Sequence, residues 1–442
     1  MVERKFSSAK PYIIISLIYL VLLLHQGLKL DDNVSPQIMW YILLTATYCL
    51  IVYMFRMDAS VAVLTWSLAT IGLATLSAFD DTGILKSACV NLWVAILAAA
   101  VFVRGYVAVK ENLDEKKLLV VLFVANLMTF LLTLLVGRSI NGTRAWIYLG
   151  SHSFQMTEMN LLLTTLYTGE VFSREANEDV TKIKQLAPLL ATDLVGFLLE
   201  RELGSLVIIL ALTGMMAMLF MNKRMLCRIG IASGVTILVV IGVALWMYRE
   251  HVEAGDYQTL HWAAKILFDQ TEKVMRRFQI VYQGLDPLGD GFQNYLSRHE
   301  LMLAGLTGRL YKVGAVLPVR DSEYMFVSTT YYFGWIAGLG ILIFYIGLFV
   351  RMMYLSLRSR KNRGVIAAGA VCIFVNAAIN ILGETGVIPL TGITLPYLSN
   401  GGSSLIRCLV FAMLCAQGIK KRKRIRDKKR WIYEPKKKCS EF

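Results

Sequence analysis

Histidine and cysteine are scarce in this chain, and neither is arranged for chemistry. Five of the 442 residues are His and seven are Cys. His25, His152, His251, His261 and His299 are scattered without a His-x-x-x-His pair. No Cys-x-x-Cys repeat occurs among Cys49, Cys89, Cys227, Cys372, Cys408, Cys415 and Cys439. Both facts speak against a disulfide framework or a thiolate or imidazole metal centre. A Gly-rich phosphate loop closed by Lys-Ser/Thr is missing too, as is a Ser/His/Asp arrangement in recognisable context. Charge is thin: 17% of residues are Asp, Glu, Lys or Arg, against 56% hydrophobic. A soluble chain of that composition would expose far too much apolar surface.

What is abundant is the long apolar run. Stretches of 18 or more apolar residues recur from residue 11 to residue 418, each a candidate membrane-crossing helix. Barrel strands would be about ten residues long with alternating polarity, and these runs do not alternate. The fold class expected is all-α, a polytopic membrane protein of about 12 transmembrane helices with a large extracytoplasmic loop. The spans fall near 11–28, 38–56, 60–78, 87–107, 118–136, 156–172, 184–200, 203–221, 226–248, 323–350, 364–386 and 402–419. Pro188, Asp193 and "ERELG" (200–204) make the seventh and eighth read as short or broken helices. Lys and Arg cluster before the first span, after the fourth, between the eighth and ninth, and at "RSRKNR" (358–363), all on one side if the spans alternate. By the positive-inside rule that side is cytoplasmic and holds both termini. The basic N-terminus reads as an uncleaved helix, since it shows no small-residue cleavage site. Much of the net charge of +15 lies in "KKRKRIRDKKRWIYEPKKK" (420–438), which beside a final span suits anionic membrane lipids rather than nucleic acid.

Polar residues collect in three outer clusters. The first is "GRSINGTRAWIYLGSHSFQMTE" (137–158), with Arg144, Trp146, Gln155 and Glu158; its Asn141 sequon is a pattern too permissive to count. The second is the 249–322 loop. There "TLHWAAKILFDQTEKVMRRFQIVYQGL" (259–285) has the period of a helix lying on the membrane interface, "LDPLGDG" (285–291) is a turn, and Gly305, Gly308 and Gly314 interrupt the semi-apolar remainder of the loop. The third is "NAAINILGETGVIPLTGITLPYLSNGGSS" (376–404), in which Asn376, Asn380 and Glu384 form one stripe. Intramembrane charges cost roughly 2.5–3.5 kcal/mol each at a span centre. Asp193, Glu170 and the Asn376/Asn380 pair read best as interhelical polar glue. Glu158, Glu200, Glu202 and Glu384, near outer span ends beside broken backbone, read as lining one outward-opening cavity. Gly334-x-x-x-Gly338 permits close helix packing but is a weak signal. On these grounds two classes stand level: a membrane enzyme acting on a lipid-linked substrate, and a transporter or flippase with a charge-lined path.

Taken in order, the clusters resemble the SEDS family (shape, elongation, division and sporulation; the FtsW, RodA and SpoVE types). The family's Asn-Gly-Ala-Arg-Arg-Trp and Phe-Ser-Phe-Gln-Pro-Ser-Glu stand here as "NGTRAWIYLGSHSFQMTE", and its Gln-Pro-Asp-Leu-Gly-Thr as "ERELGS" (200–205). Its Gly-Tyr-Gln and subsequent glycine run stand as "GFQNYLSRHELMLAGLTG" (291–308). Its Pro-Val-Thr-Gly-x-x-Leu-Pro-Phe-x-Ser-x-Gly-Gly-Ser-Ser stands as "PLTGITLPYLSNGGSS" (389–404). The resemblance covers about residues 118–418. It divides the chain into N-terminal spans at 1–117 (two of them extra to the family), a core at 118–248, the outer loop at 249–322, three further core spans at 323–419, and a basic tail at 420–442.

The resemblance implies a peptidoglycan glycosyltransferase that polymerises lipid II, an undecaprenyl-pyrophosphate-linked disaccharide-pentapeptide, beside a class B penicillin-binding transpeptidase. It also gives "PVRDSEYMF" (318–326) a role. The family reads Pro-Glu-x-His-Thr-Asp-Phe-Ile-Phe there, and its Asp, the catalytic carboxylate, is Glu323 in this chain. The family's Glu is Val319 and its His is Asp321; elsewhere Ala145 and Leu161 replace a basic residue. These departures keep a non-catalytic scaffold among the alternatives, with the flippase. Under the catalytic reading Glu323, with Asp321 in reserve, is the general base, and Arg144, Arg309 and Arg320 hold phosphate. Trp146, Gln155, Glu158, Glu200, Glu202, Glu384 and Ser399 complete the substrate site. A divalent cation (Mg²⁺ or Mn²⁺) with oxygen ligands, bridging the pyrophosphate, fits such chemistry. The competing reading of the acids is helix capping: Asp321 as N-cap and Glu323 on the positive end of the helix after it.

Overall fold

A computed structural model describes residues 35–415, apart from 80–81, 141, 150–151, 175–177, 255–261, 285–288, 290, 310–316 and 360. The expected first span at 11–28, the basic tail, the 285–291 turn for the most part, and Asn141 lie outside the described residues. The first helices are α1 (Ser35–Phe55), α2 (Ala59–Ser77), α3 (Thr82–Asn112) and α4 (Glu115–Val136). A small sheet comes next, of β1 (Arg138–Ile140), β2 (Thr143–Leu149) and β3 (His152–Gln155). Then come α5 (Met156–Phe172), α6 (Asp179–Glu200), α7 (Leu203–Phe220), α8 (Lys223–Ala254), α9 (Trp262–Gln283), α10 (Phe292–Leu303), α11 (Met325–Arg358), α12 (Arg363–Glu384) and α13 (Gly402–Cys415).

The chain is a multi-pass helical membrane protein. Among the described residues seven helices, α1, α2, α3, α4, α7, α11 and α12, are long and apolar enough to cross a bilayer. Of the other expected spans, those at 156–172, 184–200, 226–248 and 402–419 appear as helices α5, α6, α8 and α13, and the first of these differs in character because it is buried. In α5 every residue but Met159 is buried, so it needs no lipid-facing surface and carries Glu158, Asn160 and Glu170 instead. It packs against α4, α6, α7 and α12 at the centre of the bundle, while α11 packs on α2 and α12.

Helix directions alternate between two ends. At one end Lys110 of α3 pairs with Glu170 of α5, Arg174 with Glu115 (3.5 Å), Arg351 with Asp58 (2.7 Å), and Arg363 lies over Phe220. The opposite end carries the sheet, α9, α10 and the segment before α11. That second end is the outer one in the orientation read from the Lys/Arg pattern.

The all-α expectation missed the sheet. It is antiparallel, ordered β1-β2-β3, with Arg144 opposite Ser139 and Trp146 opposite Gln155. Its signal was the Asn-Gly at 141–142 before the β-prone "AWIYL". The α6–α7 reading is also corrected. α6 is unbroken at Pro188; the break falls at Arg201, whose left-handed backbone (φ 60°) ends the helix. In α11 the Gly334-x-x-x-Gly338 pattern is a helix break rather than an interhelical contact. Gly334 has φ 82°, and a Cβ there would sit 2.1 Å from Leu306 O; a Cβ on Gly308 would meet Tyr332 O at 2.3 Å. The freed donors are met by the incoming chain, Trp335 N donating to Gly305 O (3.0 Å) and Ile336 N to Leu306 O (3.3 Å). Finally, α9 docks on the bundle's outer end. Phe268, Gln270 and Val281 are buried, Arg201 pairs with Asp269 (3.0 Å), and Tyr282 donates to Val387 O (2.9 Å).

Candidate active site

The segment Leu317–Tyr324 enters α11 as a turn, with Val319 at φ 58° and its carbonyl accepting from Ser322 N and Glu323 N. It is stapled from two sides. Asn380 of α12 donates to Glu323 O (3.1 Å) and to Ile393 O (2.7 Å), tying the segment to the loop after α12. Ser399 Oγ donates to Ser322 O (2.5 Å). Asn400 N donates to Asp321 O (2.9 Å), its side chain reaches Asp321 Oδ2 (3.4 Å), and Asn91 Nδ2 donates to Asn400 Oδ1 (2.9 Å). The 376–404 cluster, backed by Asn91 of α3, thus holds one carboxylate-bearing turn. Gly392, at φ +71°, faces the Glu323 carboxylate; a Cβ there would lie 3.7 Å from Glu323 Oε1.

The capping reading of Asp321 and Glu323 does not hold. α11 begins at Met325, and Tyr324 makes no side-chain cap. Glu384, from α12, takes that role: its Oε2 accepts from Val327 N (2.9 Å), and Phe326 N lies in bonding range. Glu384 is fully enclosed, so it stabilises the helix start instead of facing open space. Glu323 is left with a partly exposed carboxylate and a different neighbourhood. Burial pushes its pKa above the usual carboxylate range, the Arg277 guanidinium pulls it down, and Asp321 pushes it up further.

Arg277 is the residue that sequence reasoning missed. It lies on α9, where Lys273 and Arg277 are four residues apart and share a face. With Arg276 they wall a cavity of about 480 Å³ that also touches Phe292, Asn294 and Tyr324. Glu202 belongs to the same charge group. Burial raises it to about 7, Lys273 and Arg277 oppose that shift, and Glu158 and Glu323 add to it.

The structure gathers only part of the expected site. Glu158, Glu202, Glu323 and Glu384 fall in one network, with Glu200 beside Glu202. However, Glu200 and Glu384 are fully enclosed, so the four do not line an open cavity together. Glu158 is bound to Arg407 of α13 (2.6 Å), both buried. Arg407 also donates to Cys372 Sγ (3.2 Å). With its amide oriented to satisfy both neighbours, Asn376 accepts from Arg407 (2.5 Å) and donates to Thr394 O (3.3 Å). Ser399 is buried in its staple. None of the three arginines expected to hold phosphate lines the basic cavity. Arg144 donates to Gly137 O (3.1 Å), Arg309 donates to Leu303 O (2.6 Å), and Arg320 stacks on Phe79 (3.9 Å to the ring centre). Trp146 and Gln155 sit paired in the sheet.

A protein-built divalent-cation site does not fit this donor set. Among the described residues no three His, Cys, Asp or Glu converge as metal ligands. Asp321 is engaged by Asn400, and the charged partner of Glu323 is a guanidinium.

The family model described as "Cell cycle protein", of the FtsW, RodA and SpoVE type, matches residues 47–424. The chain belongs to the FtsW/RodA/SpoVE family. A relative named probable peptidoglycan glycosyltransferase FtsW from Buchnera aphidicola is 24% identical over 300 residues, covering 65% of this chain and 68% of its own. The peptidoglycan glycosyltransferase MrdB of Escherichia coli is 27% identical over 280 residues, covering 61% of this chain and 69% of its own. Two solved structures share the fold. One, titled for the coordination of polymerization and crosslinking by a peptidoglycan synthase complex, has a TM-score of 0.63 at 23% identity, covering 81% of this chain and 96% of that one. The Thermus thermophilus rod shape determining protein RodA has a TM-score of 0.52 at 22% identity, with 81% and 95% covered. Both comparison chains are nearly covered while about a fifth of this chain is unmatched. In this FtsW/RodA/SpoVE member Lys273, Arg276 and Arg277 wall a cavity that reaches Tyr324, and Glu323, next to Tyr324 in the chain, has Arg277 as its cationic neighbour.

Proposed function

We propose that the chain is a peptidoglycan glycosyltransferase that polymerises lipid II at the outer face of the bacterial plasma membrane. The observation that carries the reading is Glu323, a carboxylate freed from helix capping, half-buried, matched by Arg277 and set beside a basic cavity. Glu323 takes the proton of the acceptor sugar's 4-hydroxyl. The new bond forms from that oxygen to the donor's anomeric carbon as the bond to pyrophosphate breaks, with inversion. Undecaprenyl pyrophosphate leaves, its charge met by Arg277, Lys273 and Arg276. Asn380, Ser399 and Asn400 position the turn that carries Glu323. Trp146, Gln155, Arg144, Arg309 and Arg320 border the outer end and are candidates for sugar or peptide contacts. The partner is a class B penicillin-binding transpeptidase, in line with the complex named for the structural relative.

The test is polymer formation from lipid II by the purified protein, with and without that partner. Glycan strands are expected. Movement of lipid II across vesicles with no polymer under any condition would establish the flippase reading, and neither activity would establish the scaffold.

The full topology proposed is twelve spans with cytoplasmic termini. In a background lacking the native cysteines, Gly289→Cys is expected to react with an impermeant maleimide in intact cells, and Lys116→Cys only after permeabilisation. The reverse pattern would place Glu323 on the wrong side of the membrane for this substrate.

A further inference from the structure

Three helix faces meet inside the bundle as a continuous polar seam. α4 contributes Asn126, Thr129 and Thr133, α5 contributes Asn160 and Thr164, and α6 contributes Asp193 and Glu200. The spacings of three, four and seven put each set on one helix face. In the deepest layer Asp193 Oδ1 accepts from Asn126 Nδ2 (2.7 Å) and Oδ2 from Thr164 Oγ1 (2.9 Å). One turn outward, Thr129 Oγ1 donates to Asn160 Oδ1 and to Asn126 O. A turn further out Glu200 lies beside Thr133, whose hydroxyl donates to Thr129 O (2.8 Å).

Two features set this seam apart from interhelical glue. First, the described residues place no Lys, Arg or His charge against either acid: Asp193 has only Asn126 and Thr164, and the charged neighbour of Glu200 is Glu202. An enclosed carboxylate cannot stand as an isolated anion in such surroundings, so a positive charge must join it. Second, Asn126 Oδ1 and both Glu200 carboxylate oxygens are fully buried and make no well-formed hydrogen bond; Thr133, the hydroxyl within reach of Glu200, turns its one hydrogen to Thr129 O. Glue satisfies its own members; these acceptor atoms call for a ligand.

We infer that the seam binds a monovalent cation, a proton or Na⁺, at Asp193–Asn126 and at Glu200. The donor set is carboxylate, amide and hydroxyl oxygen, which suits a hard cation. The outer position adjoins Glu202, which shares its charge environment with Glu158, Lys273, Arg277 and Glu323. Occupancy at Glu200 therefore sets the charge beside Glu202, itself a charge neighbour of the proposed base; this last link rests on the catalytic reading of Glu323, while the binding itself does not.

The test uses the full-length protein in detergent micelles and dicyclohexylcarbodiimide, an apolar reagent that modifies protonated carboxyls in membrane interiors. Peptide mass spectrometry reads the adduct on Asp193 and Glu200 across mildly acidic to neutral pH, in NaCl or choline chloride. An adduct that is lost as pH rises and is the same in both salts assigns a proton. An adduct lost severalfold faster in NaCl assigns Na⁺. Thr164→Val, which removes one oxygen and no charge, is expected to shift the pH of half-labelling; a purely structural role would leave that pH unmoved. No adduct on either acid, or one that neither pH nor salt alters, overturns the site. Neither outcome depends on polymer formation, so failure here and failure of the glycosyltransferase reading are distinguishable.

Discussion

Glu323→Gln is expected to insert, fold and bind its partner transpeptidase, yet to form glycan polymer about 10²–10⁴-fold more slowly, the usual cost of losing a general base. Gln keeps the size and polarity of the side chain but cannot accept the acceptor's proton. Folding should survive because the carboxylate caps nothing: the α11 start is held by Glu384, and the turn is held through the backbone of Glu323, which Gln retains. Glu323→Asp restores the residue of the family pattern and should keep partial activity at the cost of about one bond of reach. Asp321→Asn should be milder, since Asp321 acts on Glu323 through charge and its carboxylate is taken by Asn400. Wild-type polymerisation by Glu323→Gln together with a dead Asp321→Asn would move the base to Asp321. The measurement is the initial rate of lipid II consumption by purified proteins of matched melting temperature.

Arg407→Met is expected to act on the fold instead. Arg407 is buried beneath the site, bound to Glu158 (2.6 Å) and to Asn376. Removing one partner of such a pair leaves a charge enclosed without compensation, a loss of about 3–5 kcal/mol. Low yield and a depressed melting temperature should result. Replacing both charges, Glu158→Gln with Arg407→Met, should recover much of that loss, because the double variant buries no unpaired charge. If the double variant is as unstable as the sum of the two single ones, Glu158 and Arg407 are not coupled. The pair then could not be what places α5 against α13.

The helices were legible because lipid imposes long apolar runs, whereas the role of "PVRDSEYMF" was legible only through the family resemblance, since acids before a helix start read by themselves as caps. The α5 span read as apolar by length alone, although its polar residues show that it lies inside the bundle. The sheet was masked by its setting in a helical protein, despite an Asn-Gly turn. The cation partner of Glu323 could not be found from proximity in sequence. Arg277 lies 46 residues away from it along the chain, on a helix whose i,i+4 basic face looked like membrane-surface charge until the fold turned it into the cavity. Glu384 shows the opposite failure: a carboxylate at an outer helix end read as cavity-lining, and the structure uses it as a cap.

The central claim is that the Glu323 carboxylate, tuned by Arg277 and Asp321, takes the proton. The direct test is the pH dependence of single-turnover glycan bond formation by the wild type, Arg277→Met and Asp321→Asn. The base works deprotonated, so the rate must fall as pH drops through its pKa, and that acid limb should lie above the ordinary carboxylate range because burial raises Glu323. Arg277 favours the charged form, so its loss should move the limb to higher pH. Asp321 disfavours it, so its neutralisation should move the limb to lower pH. Shifts of opposite sign are the predicted result; a limb that stays in place in both variants would contradict the account.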